Sequence, residues 1–143
     1  MELPEIVTEE FQYPETKTVV EYIYPELTAV CPKTGMPDYY TIRILYLPDN
    51  KLPELKSLKL YFIGYRNIGI WHEHLANDIL DNFVKAVEPQ WLFIELKVNN
   101  RGGIYSNIYR HWSKYGEDIE KLMKFLGNAN PSNVSDNKKT VYI

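Results

Sequence analysis

The sequence predicts an α+β domain with the element order β-β-α-α-β-β. Three observations predict it. Tyr39 to Leu47 alternates, with Tyr40, Ile42, Ile44 and Tyr46 on one face and Tyr39, Thr41, Arg43 and Leu45 on the other. Trp71, Leu75, Ile79, Phe83 and Val87 recur every four residues, which is the strongest periodic signal in the chain. Two more β-type runs, Trp91 to Val98 and Ile104 to Trp112, follow across the Gly-containing turn 99–103.

The remaining elements fall between these. Residues 1–17 carry Pro4, Pro14 and several acids, and read as an extended N-terminal arm. Thr18 to Val30 is β-branched and aromatic, so it is a strand; Pro25 within it predicts an edge position or a bulge. The turn-rich segment CPKTGMPD links it to the alternating strand, predicting an antiparallel hairpin. Pro48, Asp49, Asn50 and Pro53 break the pattern before a first helix at Glu54 to Phe62, with Leu55, Leu58 and Phe62 at helical spacing. Asn67 and Gly69 end it, and the second helix runs from about Ile70 to Val87, where Pro89 stops it. Glu117 to Leu126 reads as a short helix, and the Asn/Ser/Lys-rich residues after it as a polar tail. The domain proper is therefore 18–113, followed by a C-terminal addition, 114–143.

Composition narrows the function. The 143 residues suffice for one domain, and 45% hydrophobic with 24% charged residues is ordinary for a soluble globular protein. Lys plus Arg is 16 against 19 for Asp plus Glu, a formal charge of -3, which argues against a nucleic-acid backbone as partner. No apolar run reaches the roughly 20 residues of a membrane span, and Met1 to Glu10 lacks the basic-then-apolar pattern of a signal peptide, so a cytoplasmic location is expected. The single cysteine excludes an internal disulfide and a thiolate zinc cluster. An antiparallel sheet with helices on one face leaves two open edges, which predicts a homo-oligomer. Twelve Tyr, five Phe and three Trp give an aromatic excess that suits interfaces and base-stacking pockets.

Several residues could carry chemistry. Cys31 ends a strand just before a Pro-Gly turn. It fits either a small buried apolar residue or a nucleophile, and the hairpin would set Asp38 across from it as a proton donor or acceptor. His72, Glu73 and His74 open the second helix; they read either as a solvated first turn or as a pocket at the helix start. Residues two apart on a helix point to nearly opposite sides, so His72 and His74 do not share a metal, and no metal is expected. Lys56, Ser57 and Lys59 near a helix N-terminus suit a phosphate-bearing ligand, as does Arg101 in the Arg101-Gly102-Gly103 turn; the plain alternatives are a solvated face and an ordinary hairpin turn. No GxGxxG fingerprint is present.

Together the segments CPKTGMPD (31–38), ELKSLKLYF (54–62), FIGYRNIGIWHEH (62–74) and NRGGI (100–104) closely resemble the 7-cyano-7-deazaguanine reductases of queuosine biosynthesis, the single-domain QueF type. The most specific part is the family pattern E-[S/L]-K-[S/A]-hydrophobic-K-[L/Y]-aromatic, met at every position from Glu54 to Tyr61. The resemblance implies the tunnelling fold, whose units close into a barrel-like ring that stacks on a second ring, as in a decamer. It implies that Cys31 forms a covalent thioimide with the substrate nitrile and that Asp38 is the proton donor. His72 and Glu73 would hold the deazaguanine ring with the segment Pro53, Glu54 and Leu55, and His72 would also move a proton as the thiol is expelled. Lys56, Ser57 and Lys59, with Arg101, would contact NADPH. Three departures stand out: Met36 where glutamine is common, His74 where an acid is common, and Leu75 where a second cysteine is frequent, which leaves no protective disulfide.

The rival readings are a tunnelling-fold amidinotransferase acting on the same nitrile in tRNA, a zinc-dependent pterin cyclohydrolase of that fold, and a non-catalytic pterin- or purine-binding oligomer. The first would not need the Lys56-Ser57-x-Lys59 motif. The second would need another cysteine. The third would bind without turnover.

Overall fold

The computed structural model describes residues 2–116, apart from the side chains of Asn100 and Arg101. The expected helix at Glu117 to Leu126 and the polar tail lie outside the described residues. In chain order the elements are β1 (Thr8–Glu10), a 3-10 turn at Pro14–Thr16, β2 (Val20–Val30), β3 (Pro37–Leu47), β4 (Lys51–Pro53), α1 (Leu55–Ile63), α2 (His72–Val87), β5 (Trp91–Arg101) and β6 (Ile104–Ser113).

The main sheet is four-stranded and antiparallel throughout, in the order β2-β3-β5-β6. Alternation explains it. Tyr40, Ile42, Ile44 and Tyr46 of β3 face Val98, Leu96, Ile94 and Leu92 of β5, and all but half-buried Val98 are buried. Leu58 and Phe62 of α1 and Leu75, Ile79, Phe83 and Val87 of α2 close over that face. The opposite face is not simply polar. Leu45, Leu47 and Trp91 form a second small buried cluster there, and buried Arg43 pairs with Glu21 at 2.5 Å, with Glu95 Oε1 3.9 Å from Nη1.

Pro25 does what its chemistry requires. β2 is an edge strand, and its register shifts between Tyr24 and Leu27. The β5–β6 turn is shorter than expected: β5 continues to Arg101, and only Gly102 and Gly103, both at positive φ, make the reversal. α2 begins at His72, two residues later than the periodicity suggests; Trp71 is its N-cap and is 47% exposed, so it does not join the core stripe.

The main departure is the N-terminus. The arm is a strap, with a strand of its own. β1 pairs antiparallel with β4, a strand that the prolines around it concealed. Further up, the strap lies against the end of α1, where a Cβ on Gly64 would come within 2.7 Å of Pro4 Cδ. Further down, Gln90 Nε2 donates to Pro14 O at 3.1 Å and Pro48 O at 3.0 Å. Between the helices, the Tyr61 and Tyr65 hydroxyls lie 2.7 Å apart, Tyr65 donates to Asp78 at 2.6 Å and Asn82 donates to Tyr61 at 2.9 Å. Burial pushes Tyr61 up to about 12 and Tyr65 higher still, so both phenols act as neutral hydrogen-bonding groups that lock α1 antiparallel to α2.

Candidate active site

The hairpin β2–β3 opens at one end of the sheet, and Cys31 stands at its mouth. Cys31 N donates to Met36 O at 2.8 Å, and Gly35 N returns to Cys31 O at 2.9 Å, with Gly35 at φ +72°. The loop 31–35 is thus a single helical turn with Cys31 in the N-cap position and Pro32 at the first position, where no N–H is needed. The N–H groups of Lys33 and Thr34 and the Thr34 hydroxyl lie near enough to the sulfur to act on its ionisation. The Thr34 hydroxyl is the largest influence and the two backbone amides follow, so together they hold the thiol below its ordinary range. The Asp38 carboxylate opposes them by raising it. Cys31 is half-buried, neither hidden in the core nor fully open.

Asp38 and Cys31 share a face. Ala29 pairs with Asp38 and Leu27 with Tyr40 across the hairpin, so Leu27, Ala29 and Cys31 project on the same side as Asp38 and Tyr40. Asp38 is 3% exposed, at the inner edge of the mouth. The segment 68–70 brings α2 to the same place: Val30 N donates to Ile68 O at 2.9 Å, and Ile70 N to Val30 O at 3.0 Å. Gly69 passes close to Pro32, where a Cβ would come within 3.4 Å of Pro32 Cα. Two residues on, His72 enters α2 with Nδ1 2.7 Å from the Tyr40 hydroxyl, while Glu73 and Trp71 stand exposed beside it. Cys31, Asp38, His72 and Glu73 thus lie at one end of the molecule.

The Glu54-to-Tyr61 motif lies elsewhere. β3 runs about 33 Å from the mouth before β4 and α1 begin. α1 returns antiparallel to α2, with Tyr61 level with Asn82, which puts Glu54 about 25 Å from His72. At this far end the chain uses its own polar groups. Glu54 is the N-cap of α1; its carboxylate accepts from Lys56 N at 2.9 Å and Ser57 N at 2.8 Å, and its own N–H donates to Val7 O at 2.8 Å. Ser57 is 8% exposed; its hydroxyl accepts from Val7 N at 2.9 Å and donates to Glu54 O at 2.8 Å. Pro53 is buried opposite Thr8. Leu55, 59% exposed, and the side chains of Lys56 and Lys59 are what this end presents outward. Lys56 and Lys59, three apart, lie on neighbouring positions of the helix surface, an arrangement that fits an anionic phosphate group. Arg101 ends β5 at the hairpin tip. Among the described residues no three His, Cys, Asp or Glu side chains converge as a metal site would require.

One contact at the mouth had no local signal: Tyr40 reaches His72 across 32 residues.

A family model described as QueF-like protein matches residues 37–117. The chain belongs to this family. It is 47% identical over 104 residues to a protein of Caldicellulosiruptor bescii named NADPH-dependent 7-cyano-7-deazaguanine reductase, covering 73% of this chain and 79% of that one. The protein of the same name from Chlorobaculum tepidum is 46% identical over 105 residues, 73% of this chain and 90% of that one. Among solved structures, the ligand-free archaeosine synthase QueF-like protein superposes with a TM-score of 0.63, over 68% of this chain and 95% of that one, at 23% identity. This last likeness supports the fold of this chain, an α+β unit of the tunnelling type.

Proposed function

We propose that the protein is an NADPH-dependent 7-cyano-7-deazaguanine reductase, converting the nitrile to the primary amine 7-aminomethyl-7-deazaguanine in queuosine biosynthesis. Family membership and the names of relatives at 46–47% identity support the reaction. The observation that carries the chemistry is the Cys31 thiol, held low by the Thr34 hydroxyl and the neighbouring amides, at the hairpin mouth that also carries buried Asp38.

A nitrile carbon is electrophilic but resists direct hydride attack. The Cys31 thiolate adds to it, forming a C–S bond as one C≡N π bond breaks. Asp38, having taken the thiol proton as the thiolate forms, gives it to the nitrogen as that atom becomes basic, leaving a neutral thioimide. After the carbon is reduced once, the amine nitrogen's lone pair expels the Cys31 sulfur and forms an imine, the substrate of the second reduction. Reduced nicotinamide, when bound, would supply one hydride to each reduction, so two NADPH are needed per nitrile. Lys56, Lys59 and Arg101 hold its phosphates, and Ser57 belongs to the same motif. The Glu73 carboxylate accepts from the ring N–H and exocyclic amine of the base, with His72 and the segment Pro53, Glu54 and Leu55 completing the enclosure. Once a neighbouring copy encloses it, an acceptor of this kind would discriminate strongly against bases lacking those donors.

The distance between the mouth and the first turn of α1 supports a site shared between copies. One copy presents Cys31, Asp38, His72 and Glu73, and a neighbour presents Leu55, Lys56 and Lys59. The edges of β2 and β6 offer the pairing surfaces for a ring. A nucleophilic thiol is kept reduced in the cytoplasm, which supports that location. No helix among the described residues is long and apolar enough to cross a membrane. The acidic balance favours a free base over tRNA as substrate.

Nitrile to amine is a four-electron reduction, so NADPH should be oxidised only when the nitrile is present, two per nitrile consumed. Tight nitrile binding without any NADPH oxidation would refute the reductase reading and leave a binding module.

A further inference from the structure

Tyr40 lies on β3, two residues beyond Asp38 and on the same face. It is 0% exposed, paired with Leu27 on one side and Val98 on the other. A central strand thus fixes its ring. Its hydroxyl is 2.7 Å from His72 Nδ1, and the two rings meet edge to face at 5.4 Å and 76°. His72 opens α2, so its ring is held from one side by the helix start and from the other by Tyr40.

The direction of this hydrogen bond follows from the two groups. A phenol O–H is a stronger donor than an imidazole N–H, and the pyridine-type nitrogen of imidazole is a stronger acceptor than a phenol oxygen. With neutral His72 the better pairing is therefore Tyr40 O–H to Nδ1. The ring proton must then sit on Nε2, across the ring from Tyr40.

We infer that Tyr40 is a positioning residue for His72, holding the neutral imidazole as the Nε2–H tautomer so that it meets the substrate as a hydrogen-bond donor. His72 then complements Glu73. The carboxylate accepts from the N–H groups of the base, and the imidazole donates to one of its acceptor atoms, such as the ring carbonyl. In that form His72 has no free basic nitrogen to offer, because Nδ1 is occupied. This assignment rests on the reductase reading for the identity of the substrate, but the tautomer does not.

Nitrogen-15 NMR on protein labelled at histidine reads the tautomer without turnover, at a pH where imidazole is neutral. His72 is distinguished from His74 and His111 by the signal missing in His72→Asn. Wild-type His72 should show a protonated Nε2 and an unprotonated, hydrogen-bond-shifted Nδ1. In Tyr40→Phe, which keeps the ring and loses only the hydroxyl, the Nδ1 signal should move toward that of exposed His74. KM for the nitrile should rise about 5-fold with kcat changed less than about 2-fold, the effect of one hydrogen bond. A protonated Nδ1 in the wild type would overturn the inference. So would a Tyr40→Phe protein whose His72 signals and KM are both unchanged. If the protein bound no nitrile at all, the NMR result would still decide the tautomer, and only the reductase reading would fall.

Discussion

The hairpin mouth and the first turn of α1 are built alike and used differently. Cys31-Pro32-Lys33-Thr34 and Glu54-Leu55-Lys56-Ser57 share one pattern: a cap residue, a residue with no donor duty, a lysine and a hydroxyl. In both, the backbone N–H groups two and three residues on act on the cap side chain, as hydrogen bonds at Glu54 and by lowering the thiol at Cys31. At the mouth the cap is a sulfur left half-buried, so the amides act on a reactive atom. At α1 the cap is a carboxylate, and the strap closes over it through Val7. One turn tunes the proposed nucleophile. The other fixes a helix so that Lys56 and Lys59 are carried on a rigid edge. The same local chemistry serves reaction or positioning according to what the rest of the chain lays across it.

The sharpest way to break this comparison is to separate the two regions onto different chains. Cys31→Ala and the double variant Lys56→Ala, Lys59→Ala should each be inactive. Co-expressed in one oligomer, they should recover about a quarter of wild-type activity, since half the mouths and half the α1 edges are intact and pair at random. Sites complete within one chain would recover none, which would refute the shared site.

A smaller effect separates the groups around the sulfur. The alkylation rate of Cys31 against pH reports its ionisation, and the wild-type midpoint should lie below that of an ordinary thiol. Thr34→Val removes the largest lowering influence, so the midpoint should rise. Asp38→Asn removes a charge that raises it, so the midpoint should fall while turnover drops about 100-fold for want of the proton donor. A fall in turnover with an unmoved midpoint would place Asp38 too far from the sulfur for the role given it.

Much of this was legible in the sequence, and the limits have physical causes. The β2–β3 hairpin and α2 follow from periodicity, because each buries one face of a long regular element. Pro25 announced its bulge. The strap escaped notice because β1 and β4 are three residues each and bounded by prolines, too short for any period to show. Tyr40 was assigned to the buried face, yet its hydroxyl partner lies 32 residues away on another element. Ser57 read as a ligand contact from its neighbours Lys56 and Lys59; its partner, Val7, is 50 residues back. Pattern reports which face a residue takes, whereas a single long-range hydrogen bond leaves no pattern.

The central claim is that the Cys31 thiolate attacks the nitrile. Intact-protein mass spectrometry after incubation with 7-cyano-7-deazaguanine, without NADPH, tests it directly. Wild-type protein should gain the mass of one nitrile per chain, and Cys31→Ala should gain none while still binding the base noncovalently. An adduct that persists in Cys31→Ala, or a wild type that turns over without ever forming one, would contradict the account.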